Sequence, residues 1–150
     1  MEEATGDNGQ EPESGYHFQR AVLDALNDGV FVVSVDCNSI VEVNRSACEQ
    51  FRYIREQMLG KNPGGFGQFP STQESMTEWL ELARDEGPQR FEWLARASDG
   101  HVFWTEIDAR LFLIGDRALY LLSLRDIEDR KKAERERAVR EIKLRHEQKL

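Results

Sequence analysis

Apolar residues recur along this chain in two rhythms, and the switches between them mark out its elements. Phe18, Val22, Ala25 and Leu26 fall at i, i+4, i+7 and i+8, which predicts a helix over 16–26 with one apolar face and Ser14 as its cap. Asn27-Asp28-Gly29 ends that rhythm. The β-branched run over 30–35, closed by Asp36-Cys37-Asn38 ahead of a second run over 40–43, predicts a strand hairpin. Asn44 then stands at a cap position before a short helix over 45–51, and a further turn over 55–59 is stopped by Gly60. Residues 61–70 hold three glycines and two prolines around Phe66 and Phe69, too broken for a regular element and too aromatic for a plain linker, so they predict an ordered loop over the core.

The second half is more regular. Ser71 or Thr72 opens a helix with Met76, Trp79, Leu80 and Ala83 on one face and Glu74, Glu78, Glu81 and Asp85 elsewhere, ended by Gly87-Pro88. Three strands follow, over 89–97, 102–114 and 117–125, joined by turns at 98–101 and at Gly115-Asp116. In the middle strand Phe103, Thr105, Ile107, Ala109 and Leu111 share one face, while Glu106, Asp108 and Arg110 share the other with Val102 and Trp104. The last strand is apolar on both faces, so its outer side needs a cover, either the opening helix or a second copy of the chain. From Asp126 onward there is no Gly or Pro and charges alternate, which predicts a long helix leaving the body, with coiled-coil pairing an option that its thin apolar positions do not establish.

Together these elements predict an α+β fold: a five-stranded antiparallel sheet with helices on one face, an N-terminal amphipathic helix and a C-terminal linker helix. Charge divides the chain in the same places. Residues 125–150 carry ten basic and seven acidic side chains, a net of +3, whereas residues 1–124 carry ten against twenty-one, a net of −11. The expected organisation is a disordered acidic leader over 1–15, a folded body over 16–125 and an output helix over 126–150. An acidic body repels phosphate, so nucleic acid is not an expected partner. The longest uncharged apolar run, 29–35, is far below the roughly 20 residues of a membrane span. With no secretory signal visible and two cysteines outside any CxxC pattern, the expected compartment is the cytoplasm.

The order of short motifs carries a family resemblance. Asp28-Gly29-Val30-Phe31-Val32-Val33, Val43-Asn44-Arg45-Ser46-Ala47-Cys48 with Phe51 and Tyr53, Phe91-Glu92-Trp93, Asp99-Gly100-His101-Val102-Phe103-Trp104-Thr105-Glu106, and Arg125-Asp126-Ile127 with Arg130-Lys131 closely resemble the PAS sensor family, over about 18–132. The resemblance implies a cytoplasmic sensory module that holds a small ligand or pairs with another copy, and passes its state through a C-terminal helix to an effector. Asp126 and Ile127 are the expected output joint; Glu128 replaces the Thr with which the family's Asp-Ile-Thr motif commonly ends. The closing segment, 144–150, looks like the approach to the dimerisation helix of a sensor histidine kinase, with a diguanylate cyclase as the alternative effector.

The resemblance also frames the site chemistry. Haem is disfavoured, because the helix opened by Ser71 or Thr72 holds no axial His, and His17, His101 and His146 are scattered. They form no metal cluster either. A photoactive Cys adduct is excluded where Lys61-Asn62-Pro63-Gly64-Gly65-Phe66 replaces the flavin motif, although Phe66, Phe69, Trp79 and Trp93 can stack on a non-covalent flavin with Asn62 or Gln68 bonding its edge. Core filling is the first reading of these rings. The candidate pocket is Phe31, Phe51, Asn62, Phe66, Gln68, Phe69, Trp79, Phe91, Trp93 and Ile107. Cys48 reads as a small buried hydrophobe and Cys37 as incidental rather than as redox switches. No nucleophile–base pair or phosphate loop marks an enzyme. The alternative to a ligand-binding sensor is a constitutive dimerisation module with a filled core, and in either case a homodimer is expected through the N-terminal helix, the outer sheet face and the linker helix.

Overall fold

In the computed structural model, which describes residues 15–149, an opening helix α1 over 15–25 precedes strands β1 (Gly29–Ser34) and β2 (Ile40–Val43). Helices α2 (Arg45–Phe51) and α3 (Arg55–Met58), a 3-10 turn (Pro63–Phe66) and α4 (Gln73–Asp85) follow. The chain ends with β3 (Gln89–Arg96), β4 (Val102–Ile114), β5 (Arg117–Asp126) and the exit helix α5 (Glu128–Lys149). The expected cap Ser14 and nearly all of the expected leader lie outside the described residues.

The strands form one antiparallel sheet in the order β2-β1-β5-β4-β3. The fold is therefore the α+β arrangement expected. The chain starts one strand in from an edge, steps to that edge, crosses over one face through the helices to the far edge, and returns as a meander to the centre, where β5 lies beside β1. Period-two alternation sends Phe31, Val33, Phe91, Trp93, Phe103, Ile107, Tyr120 and Leu122 to the crossed face, where all are buried. Phe51, Met58, Phe66, Met76 and Leu80 close over them from the helical side. Each such side chain contributes about 1.5–3 kcal/mol relative to exposure.

Two buried polar groups hold this geometry. Thr105 lies within the inner face and its hydroxyl donates to Trp93 O at 2.9 Å. Asn44 is fully buried and uses its whole amide: Oδ1 accepts from Val30 N–H (2.8 Å) and Ala47 N–H (3.0 Å), while Nδ2 donates to Leu23 O (2.8 Å) and Asp28 O (3.0 Å). One side chain thus caps α2 and ties α1 to β1. Glycine serves close approach at Gly67, where a Cβ would come within 2.6 Å of the Trp93 ring.

Because β5 lies between β1 and β4, its two apolar faces are both used. The inner set packs on the helices, and Leu119 on the outer side is buried beneath α1. An ion-pair chain secures α1: Arg20 reaches Glu42 at 2.5 Å, and Arg55 grips the same carboxylate at 2.8 and 2.9 Å.

Candidate functional site

The sheet interior holds most of the nominated pocket residues in contact with one another. Phe31, Phe51 and Phe66 form a triangle of ring centroids 5.5, 5.8 and 6.2 Å apart, with Phe103 5.4 Å from Phe51 and Tyr53 5.3 Å from Phe66. Trp79 stacks parallel on Phe91 at 4.4 Å, and Phe91 meets Trp93 edge-on at 6.4 Å. Ile107 is fully buried between these groups in the sheet. These separations suit ring–ring contact itself, with each aromatic serving as its neighbour's partner.

The polar nominees, Asn62 and Gln68, make bonds that hold the loop itself. Asn62 Oδ1 accepts from Gly64 N–H at 2.8 Å and so caps the 3-10 turn. Gln68 is half-buried and its main-chain N–H donates to Leu94 O at 2.8 Å, fastening the loop to β3. Phe69 is 78% exposed, which corrects its place in the pocket: the loop turns outward at the residue before Pro70.

At the expected output joint, hydrogen bonds tie the start of α5 to both β5 and β4. Asp126 stays in β5, and its carboxylate accepts the first helical amide, Glu128 N–H, at 2.9 Å. Ile127 is buried and its N–H donates to Trp104 O at 3.0 Å. Glu128 Oε1 accepts Trp104 N–H at 2.6 Å, so both main-chain groups of Trp104 are taken by the start of α5. On the outer face, Lys131 Nζ lies 4.8 Å from the Trp104 ring centroid and 2.5 Å from Glu92. Arg130 spans Glu92 at 3.0 Å and Glu106 at 3.4 Å. The Lys131 ammonium, with help from Arg130, holds the Glu92 carboxyl below the usual glutamate range against a smaller opposing effect of burial.

A second concavity lies outside the sheet. Tyr16, Phe18 and Val22 of α1 face Phe112, Ile114 and Leu121 across a groove of about 420 Å³.

This combination of meander, crossed helices and exit helix matches known proteins. The family model described as "PAS domain" matches residues 27–129. The chain belongs to the PAS family. A methyl sulfide methyltransferase-associated sensor of Methanosarcina acetivorans is 29% identical over 116 residues, covering 77% of this chain; the chain spans only 11% of that protein's length. Among solved structures, the PAS domain of a two-component sensor histidine kinase superposes with a TM-score of 0.65 at 20% identity, over 77% of this chain and 98% of its own. The PAS domain of an HTR-like protein from Haloarcula marismortui gives 0.70 at 21% identity, over 81% and 99%.

In this PAS domain, the sequence nominated Asp126 and Ile127 for the joint but gave no sign that Trp104, Glu92, Arg130, Lys131 and Glu128 gather around them. The sequence places Glu106 on a strand face with Asp108 and Arg110, and only the path of α5 across the outer face pairs it with Arg130. No ion-pair spacing in the sequence signals a contact between residues 92 and 131. Of the two cysteines, Cys48 is half-buried, and burial raises its thiol pKa. Cys37 is exposed, with its thiol pKa lowered by the hydroxyls of Ser39 and Ser34. Among the described residues, no cluster of His, Cys, Asp and Glu is arranged to hold a metal ion, and no helix is long and apolar enough to cross a membrane.

Proposed function

We propose that this PAS domain is a cytoplasmic signal-input module that responds to association of its own surfaces and relays the result through α5 to a C-terminal effector, a histidine kinase in the first instance. The observation that carries this reading is the double grip of the α5 start on Trp104, a residue of a sheet strand. A shift of β4 relative to β5 moves both partners of its main-chain groups, the Ile127 N–H and the Glu128 carboxylate, at once, so strand position becomes helix position. The filled aromatic interior favours association over a bound small molecule as the input. The apolar groove beside α1 and the exposed Val139 and Ile142 on α5 supply surfaces on which two copies can pair in parallel. The resemblance to a sensor and to a PAS domain of a histidine kinase supports the choice of effector.

Native mass spectrometry together with an absorbance spectrum of the purified chain tests the input: a dimer with no bound small molecule and no visible band is expected, and a stoichiometric chromophore or ligand would return the interior to the role of sensor. Asp126→Ala in the intact protein tests the relay, with loss of effector response at unchanged fold expected; an unaltered response would remove the joint from the mechanism.

A further inference from the structure

The outer strands of the sheet are blunted along their free edges. On β2, Ile40 donates to Lys61 O and accepts from Gly60 N–H, each at 2.8 Å. On β3, Leu94 accepts from Gln68 N–H at 2.8 Å and donates to Ser71 Oγ at 2.9 Å. The remainder of the β3 edge carries the charged residues Arg90 and Glu92, which deter strand addition.

One stretch of edge is left. β4 pairs with β3 only as far as Ala109↔Gln89 but with β5 as far as Ile114↔Arg117, so the segment from Arg110 to Ile114 overhangs. The main-chain groups of Trp104 are bonded on the β5 side, and alternation therefore turns those of Leu111 and Leu113 to the open side. Among the described residues no hydrogen bond engages them. Past Arg110 the overhang has no charge of its own, and Leu113 and Ile114 are 69% and 60% exposed. An apolar edge of this kind is what the rest of the sheet avoids.

The occupant follows from the chemistry. Open N–H and C=O groups at strand spacing, with apolar side chains on both faces, are complementary to an extended main chain. Arg90 and Arg110 share the single carboxylate of Asp108, at 3.3 and 3.1 Å, and Arg117 is exposed at the tip beside Asp116, so basic side chains outnumber acidic ones along this edge of an otherwise acidic body. A second copy fits less well. Antiparallel pairing of two such edges would send their α5 helices in opposite directions, because α5 leaves from the far end of the β4–β5 hairpin. We propose that the overhanging edge of β4 takes up an extended segment of a partner protein, apolar in its middle and acidic at its ends, as a sixth strand. This goes beyond the relay reading, which uses Phe112 and Ile114 only as side-chain lining of the groove beside α1 and does not use the open main-chain edge; the preference over a second copy rests on that reading.

The probe is the acetylated, amidated peptide Glu-Val-Thr-Val-Ile-Val-Glu, added to the whole chain while amide hydrogen exchange is followed by NMR. Exchange at Leu111 and Leu113 is expected to slow by about tenfold or more at saturation, and a version flanked by Lys or N-methylated at alternate residues to bind about tenfold more weakly. Unchanged exchange at these two amides, equal binding of the N-methylated peptide, or no binding would each overturn the proposal. Protection that grows with protein concentration in the absence of peptide would also overturn it, by identifying the occupant as a second copy, and would count against parallel pairing too. Loss of relay on Asp126→Ala is independent of every one of these results.

Discussion

At the scale of single residues, Asn44 shows how one buried amide can organise three elements. All four of its hydrogen-bonding positions are used, across α1, β1 and α2. Asn44→Ala removes a helix cap and leaves buried main-chain groups without partners, a combined cost of about 2–4 kcal/mol. Urea denaturation checks this, and Asn44→Asp should recover only part, because a carboxylate keeps the two accepted bonds and loses the two donated ones. The cap was legible in the sequence, since Asn before a short apolar-periodic segment is a known start signal. The donated bonds were not, because Leu23 and Asp28 come beside Asn44 only when α1 folds back over the sheet.

At the scale of elements, the first turn of α5 is the part whose attachment should be tunable. The Glu92 pairs with Lys131 and Arg130 lie at the surface, so Glu92→Gln should cost less than about 1 kcal/mol of global stability. Its effect on α5 itself should be larger, seen as faster amide exchange at Ile127 and Lys131, whose N–H groups hold the helix start. The pH dependence follows from the lowered pKa of Glu92. A carboxyl depressed in the folded state contributes attachment that is complete above its unfolded pKa and is lost as pH falls through the folded value. Acidification below the ordinary glutamate range should therefore loosen α5 before the sheet unfolds. The Trp104 indole resonance, beneath Lys131, would report the step, and Glu92→Gln should remove it from the titration.

At the scale of the whole molecule, the outer face of the sheet decides how copies meet. Val22 on α1 is partly exposed beside the groove that Phe112 and Leu121 line. If two copies pair there, Val22→Asp should weaken the dimer by about tenfold or more in sedimentation equilibrium, since a charge would be buried in an apolar contact, while the melting temperature of the monomer stays nearly unchanged. What the sequence alone determined is the list of elements, their faces and the family, because period-two and period-3.6 patterning are local and survive in a linear string. It also placed Asp126 and Ile127 at the boundary between body and exit helix. Tertiary structure alone decided that β5 lies at the sheet centre, that Phe69 faces outward, that Glu128 bonds to Trp104, and that β4 outruns β3 to leave an open edge. Each of these depends on which distant residues become neighbours, and strand order and edge length are properties of the assembled sheet that no single segment encodes.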